Sequence, residues 1–373
     1  MARRSSNSES TDPQKHQALT DNLLDSLQSD LNKEFGEGTA QRLSSASTLS
    51  MIHHWTSTRS LVVDKVLAGG RPMPCSLVPF GRQIEISGLP GTGKTSLCAQ
   101  IAAEVQANGG TIVVTDTEDR IDHPYWQQLG VDTSRIINLT ARTLEQVFER
   151  QLKIIQLLRE KSPNTPVLML WDSLGGTSTD SIMDEIEDGS EGPMEVAKKA
   201  MMMKARVISW GMEMINPYIS QSKVAYVYTN TLYSKPNVKW GDPFETPGGN
   251  KKNFMATVRL RLENCGQIAE ENPVTGNKRV LGHKVEVSAL KNSMAPMKIS
   301  AVGAVIGGKG FSNEWTVRDV AEALKLITKA GAWSTWRTSS GEDVKFQGFN
   351  GFMDKVVTHP EYPLLVAQVS DAL

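Results

Sequence analysis

Cysteine is scarce in this 373-residue chain: only Cys75, Cys98 and Cys265 occur. They are odd in number and widely spaced. That excludes a disulfide framework and a zinc site, and fits a reducing compartment such as the cytoplasm. No apolar run reaches the roughly 20 residues a membrane-spanning helix needs. The stretch from Met1 to Asp12 is polar and serine-rich, without the apolar segment of a secretory signal. The formal net charge is only -1. No global basic field announces nucleic acid, so any such surface has to be local. There is no internal repeat, and no low-complexity tract beyond the polar start. What is present is the mixture of an ordinary globular protein, long enough for one large core with small accessory domains.

One motif is specific. Gly88, Leu89, Pro90, Gly91, Thr92, Gly93, Lys94 and Thr95 form a complete G-x-x-x-x-G-K-[ST] phosphate-binding loop. A strand-like stretch, Gln83 to Ile86, precedes it, and a helical stretch opening at Ser96 follows. Glycines let backbone N–H groups turn inward on a polyphosphate, and the helix N-terminus adds partial positive charge. Lys94 is placed to reach the β- and γ-phosphates and the Thr95 hydroxyl to hold Mg²⁺, so ATP and Mg²⁺ are the expected ligands.

The flanking chain alternates. Thr111 to Thr115, Val167 to Trp171 and Val224 to Tyr228 read as strands, and Leu144 to Glu160 and Met194 to Met214 as helices. This predicts an α/β fold with a mostly parallel twisted sheet covered on both faces. Chemistry gathers at the C-terminal ends of such strands. Asp172 follows an apolar run, where it would hold Mg²⁺ through water. Glu118 lies just beyond the strand ending at Thr115 and can deprotonate a water, with Asp116 as its competitor. Before the core, Asp12-Pro13 is a helix start, Leu19, Leu23, Leu27 and Leu31 recur every fourth residue, and Gly36 and Gly38 end the pattern. That stripe has to pack on its own core or on another subunit. The tail is read as a helix from Asp319 to Ala330, a Gly-Ala-Trp break, a hairpin-like stretch around Gly341 and a last helix. The predicted division is 1–50, 51–316 and 317–373.

These residues, taken in order, resemble a RecA-family DNA strand-exchange recombinase from about Gln14 to Pro360. The resemblance is carried by Glu34-Phe35-Gly36-Glu37-Gly38, by Asp116-Thr117-Glu118 with Asp122, by Gly241-Asp242-Pro243 through Gly248-Gly249-Asn250, by Leu290-Lys291-Asn292, and by Gly331-Ala332-Trp333. It implies a RecA-like P-loop ATPase core, an N-terminal polymerisation helix and a small α+β C-terminal domain. It implies a DNA-dependent ATPase that forms helical homo-oligomeric filaments on single-stranded DNA and exchanges strands with double-stranded DNA. Single-strand-binding and loader proteins are further implied partners; a membrane is not.

Position by position, the resemblance makes Glu118 the water-activating residue and Lys94 and Thr95 the phosphate and Mg²⁺ ligands. Asp172 is the Walker-B acid, Asp122 and Tyr125 meet adenine, and Lys291 reaches a neighbour's γ-phosphate. Asn230 and Thr231 stand at the sensor position, where the family has a glutamine. Ser293 replaces a second interfacial lysine, and Gly307 stands where an aromatic encloses the base. These departures mark a divergent member of the kind a bacteriophage or mobile element carries.

Two loops would meet DNA. The first spans about Asp184 to Met194, with Lys198, Lys199 and Lys204 on the following helix. The second spans about Tyr233 to Asn253 and mixes Lys235, Lys239, Lys251 and Lys252 with Tyr233, Trp240 and Phe244, beside Gly248, Gly249 and Asn250. Cations interleaved with aromatics suit single strands of any sequence. Met201, Met202 and Met203 are read as core. Two other readings stay open: a RecA-fold hexameric helicase-type motor, and a non-catalytic filament or mediator protein.

Overall fold

The structure is a computed structural model that describes residues 13–42, 54–71, 77–183, 193–235, 240–271 and 277–373. The chain forms two compact units, Met1–Ile52 and His53–Leu373.

In the first unit, α1 (Pro13–Phe35) begins at the expected proline, whose missing N–H is no loss in a first turn. Gly36, with φ near 101°, ends it as only glycine readily does. The chain then folds back along the helix. Asn32 accepts from the Ala40 N–H at 2.8 Å and donates to its carbonyl at 3.1 Å. Arg42 bridges Asp21 and Asp25. The leucine stripe stays exposed: Leu19, Leu23, Leu27 and Leu31 keep 41–63% of their surface.

The second unit opens with β1 (Trp55–Thr56), α2 (Leu61–Ala68), β2 (Val78–Pro79), β3 (Arg82–Gly88), α3 (Lys94–Ala107) and β4 (Thr111–Asp116). Then come α4 (His123–Gln128), β5 (Ile136–Asn138), α5 (Leu144–Lys161), β6 (Val167–Asp172), α6 (Pro193–Gln221) and β7 (Val224–Thr231). A small ladder, β8 (Tyr233–Ser234) with β9 (Phe244–Glu245), leads to α7 (Gly249–Met255), β10 (Val258–Glu271), β11 (Lys278–Asn292), β12 (Ser300–Ile306) and β13 (Gly310–Phe311). The main sheet has nine strands in the order β13-β12-β11-β10-β3-β7-β6-β4-β5. The run from β10 to β5 is parallel, and β11, β12 and β13 add antiparallel ladders at one edge. This is the expected mostly parallel α/β core.

Burial on both faces explains its composition. Ile84 and Ile86 are buried, but so are Gln83, Glu85 and Ser87, which alternate with them. Under α5 and α6, Phe148, Trp171, Ile208, Met212, Ile215 and Tyr226 fill one layer of core. Methionines on α6 divide by face: Met212 is fully buried, whereas Met201 and Met202 are 70% and 72% exposed. Met201 and Met202, expected in the core, are on the outside, because helical period turns them away from the sheet while apolar composition alone does not say so. Met203 is half-buried.

The tail contains α8 (Asn313–Ala323), an antiparallel sheet of β14 (Ile327–Ala330), β15 (Trp333–Arg337) and β16 (Asp343–Gln347), then α9 (Gly348–Phe352) and α10 (Tyr362–Ala372). The expected helix from Asp319 to Ala330 is therefore corrected. Lys325 takes a left-handed φ of 60°, Leu326 N–H returns to the Ala321 carbonyl at 2.9 Å, and the chain re-emerges as a strand. Trp315, Ile327, Trp336, Phe346 and Phe352 share one core with Ile268 and Ile306 of the main sheet.

Candidate nucleotide and DNA site

Four parallel strands end side by side: Gly88 is paired in register with Thr231, and Asp116 with Asp172. The phosphate loop leaves β3 at Gly88 and enters α3 through Gly93, whose φ is 94°. A Cβ on Gly88 would lie 2.6 Å from the Thr92 hydroxyl and 2.7 Å from the Leu262 carbonyl, so the loop closes only around a bare backbone. Leu89, Pro90 and Gly91 form its exposed crest, and Thr92 Oγ1 donates to the Leu89 carbonyl at 2.9 Å. No side chain caps the start of α3, leaving first-turn N–H groups to face an anion. Lys94 Nζ lies on the Gly88 and Leu89 carbonyls at 2.9 and 3.0 Å. Burial lowers its ammonium value, and the Asp172 and Glu118 carboxylates oppose that shift.

Thr95 Oγ1 donates to Asp172 Oδ2 at 2.7 Å, and Thr229 Oγ1 donates to Asp172 Oδ1 at 2.5 Å. Two hydroxyls and a carboxylate are hard oxygen donors of the kind Mg²⁺ takes alongside phosphate oxygens. No group of three or more His, Cys, Asp or Glu residues suited to a metal occurs among the described residues.

Glu118 lies beyond the end of β4. Its Oε1 accepts from the Ser173 hydroxyl, and its Oε2 pairs with Arg120 at 2.8 Å. The Asp172–Ser173 peptide is cis. Asp116, its competitor, turns elsewhere. Its carboxylate accepts the backbone N–H groups of Glu118, Arg120 and Ile121 at 2.9–3.1 Å. Asp116 thus shapes the loop that carries Glu118. Asp122 caps α4 through the Tyr125 N–H, and the Tyr125 hydroxyl meets Ser96 of α3 at 2.8 Å. The structure brings the phosphate loop and the Asp122–Tyr125 turn together. Cys98, fully buried in α3, has its thiol pushed well up by burial and is packing, not chemistry.

The second loop is described except at 236–239, so Lys239 lies outside the described residues. Trp240 is 93% exposed, Phe244 packs under the Arg261 guanidinium, and Arg261 holds Asp242 with both nitrogens. Lys235 pairs with Glu245 at 3.7 Å and Lys251 with Glu213 at 2.5 Å. Gly248 caps the start of α7 at φ near 104°, followed by Gly249 and the exposed Asn250. Lys252 is not on this surface. It is fully buried, with its ammonium 2.6 Å from Glu85, so the expectation that it meets DNA is corrected. Most of the first loop, 184–192, lies outside the described residues, as do the side chains of Met194, Lys198 and Lys199 at the start of α6. Lys204 donates to the Gly175 carbonyl at 2.5 Å.

Asn230 is fully buried at the end of β7. It donates to Glu85 Oε1 at 2.9 Å and the Pro247 carbonyl at 3.1 Å, and accepts from the Thr231 N–H. Lys291 Nζ donates to the carbonyls of Asn253 and Phe254, closing the C-terminal turn of α7. Burial, with Arg259 beside it, lowers its ammonium value. Ser173, Thr229, Glu85 and Arg261 were missed from the sequence. Glu85 carried one usable signal: a charge inside a strand flanked by covered strands must find a partner.

The family model of the RecA N-terminal domain matches residues 22–312. The chain belongs to the RecA family. It is 30% identical over 334 residues to the protein RecA of Bdellovibrio bacteriovorus, covering 90% of this chain and 80% of that one. It is 29% identical over 352 residues to the protein RecA of Enterococcus hirae, covering 93% and 90%. At this distance the chain is a divergent member. No helix among the described residues is long and apolar enough to cross a membrane.

Proposed function

We propose that this RecA-family chain is an ATP-dependent homologous recombinase that forms helical filaments on single-stranded DNA and exchanges strands with a homologous duplex in the cytoplasm. The observation that carries the reading is the assembly of one phosphate loop, one Mg²⁺-compatible oxygen set and one glutamate held by Ser173 and Arg120 at adjacent strand ends, within a family match that continues through the second loop and Lys291. Glu118 takes the proton from the attacking water, oriented by Ser173 and Arg120. Lys94 and the first turn of α3 hold the phosphates. Mg²⁺, when bound through Thr95 and Asp172, would neutralise charge between the β- and γ-phosphates. Residues 1–50 serve polymerisation, 51–316 hydrolysis and DNA binding, and 317–373 a small accessory domain. Lys235, Trp240, Phe244 and Lys251, with the Gly248–Asn250 turn, track the strand.

ATP hydrolysis measured with and without single-stranded DNA, followed by electron microscopy, tests this. DNA-stimulated turnover with open helical filaments is expected. Closed six-membered rings would establish the helicase-type motor instead, and filaments without turnover the mediator.

A further inference from the structure

A buried network joins the nucleotide end of the sheet to the second loop. It starts at Thr95, which donates to Asp172; Thr229 donates to the other Asp172 oxygen. The next residue, Asn230, divides its amide N–H groups between Glu85 and the Pro247 carbonyl. Glu85, three residues before the phosphate loop, accepts from Asn230 and Lys252 on Oε1, and from Arg259 on Oε2 at 2.5 Å. Lys252 places its remaining donors on Thr246 and on the Asn253 side chain, each at 2.8 Å. The backbone carbonyl of Asn253 is in turn held by Lys291, whose register partner across the β10–β11 ladder is Arg259.

Glu85 and Lys252 are completely buried. Burial alone would raise the Glu85 carboxyl, but the Lys252 and Arg259 cations more than reverse this and hold it below the usual carboxylate range. Such a cluster is costly to assemble, and apolar residues of similar volume commonly replace it without loss of stability. Arg259 alone would neutralise Glu85. The second cation, Lys252, is therefore surplus to charge balance. What it adds is geometry: one ammonium fixes the strand that feeds the phosphate loop, the turn at Thr246 and the last turn of α7.

We propose that Lys252 is a positioning residue that transmits nucleotide state from the phosphate-loop strand to the second DNA loop, with Asn230 and Glu85 as its relay. This rests on the recombinase reading above. A displacement at Asp172 moves Thr229 and Asn230 together. Asn230 then shifts its shared hydrogen bonds between Glu85 and Pro247, and Lys252 carries the shift into Thr246 and Asn253. The loop and the Lys291 end of α7 answer as one piece.

Lys252→Met keeps the side-chain volume and leaves Glu85 paired with Arg259, so the fold is expected to stand. The affinity of a fluorescein-labelled oligothymidylate is measured with and without a slowly hydrolysed ATP analogue, for the full chain and for the variant. Couplings between sites commonly amount to about 5- to 150-fold, and linkage makes them reciprocal. The variant should bring the nucleotide-dependent change in DNA affinity to within about twofold of unity. It should abolish to the same degree the DNA-dependent change in analogue affinity. Loss of one partner of a buried pair should lower the melting temperature, but the variant should still unfold cooperatively above the assay temperature and keep its wild-type nucleotide-free DNA affinity. Thr246→Val, which removes one acceptor of Lys252 without touching a charge, should lower the coupling part-way. If both folded variants keep the full wild-type coupling, the relay is wrong while the recombinase reading stands. If the wild-type chain shows no DNA binding or no response to nucleotide, that reading fails and the relay falls with it.

Discussion

At the residue scale, two carboxylates two positions apart do different work. Glu118 projects beyond its strand to Ser173 and Arg120, whereas both oxygens of Asp116 are spent on loop N–H groups. Glu118→Gln should leave ATP affinity and melting temperature unchanged and lower turnover by about 10²- to 10⁴-fold, since an amide cannot accept the proton. Asp116→Ala should instead strip acceptors from that loop and destabilise the fold by about 1–3 kcal/mol, with turnover falling in step with loop order. Thermal melts and steady-state ATPase assays on the pair separate the roles; wild-type turnover in Glu118→Gln would reverse the assignment. Lys94→Ala should weaken nucleotide binding itself, seen by titration with a fluorescent ATP analogue. The phosphate loop, Asp172 and Glu118 were legible because a motif is local. Ser173 beside Glu118 and Lys252 beside Glu85 were not, because those contacts join residues 55 and 167 positions apart.

At the element scale, legibility followed burial pattern. The helices and strands around the phosphate loop were readable from their apolar runs and from the motif between them. The tail failed at Lys325, where a left-handed turn that no sequence period announces ended α8 early. The fully covered strand β3 carries polar side chains into the core: Glu85 is buried and paired with Lys252, and Gln83 donates to Asn216. That pairing has a pH signature. Glu85 ionises more readily in the folded chain, so its contribution is complete above the ordinary carboxylate value of about 4.3 and is lost as pH falls through its lower folded value. Asp64, whose carboxyl burial raises, works in the opposite sense and offsets part of the loss. Urea melts from pH 7 to 3 should show stability falling below about pH 4.3, and less steeply in Lys252→Met, where the pull on Glu85 is weaker. The helix α1 makes a separate prediction. Its leucines are exposed and need a partner surface. Leu23→Glu with Leu27→Glu should leave a folded, ATP-binding chain that scatters light as a monomer; long filaments from that variant would remove α1 from assembly.

At the scale of the whole molecule, the question is whether one chain holds a complete catalytic site. Lys291 is far in sequence from the phosphate loop, and within its own chain it closes the end of α7 beside Arg259. If filament packing presents it to the neighbour's γ-phosphate, its ammonium stabilises transition-state charge only when subunits stack in the active geometry. Hydrolysis then removes the charge that holds the junction and releases DNA. Ser293 cannot share this role, so Lys291→Ala should be nearly complete in its effect: DNA-stimulated turnover falls by about 10²-fold or more while each subunit still binds nucleotide. Mixing Lys291→Ala with Glu118→Gln then decides the matter. A junction that draws its glutamate from one mutant and its lysine from the other is intact, so activity should rise at intermediate ratios, although each pure population is inactive. With co-assembly verified by energy transfer between labelled subunits, a flat response at every ratio would put Lys291 and Glu118 in service of the same chain's nucleotide.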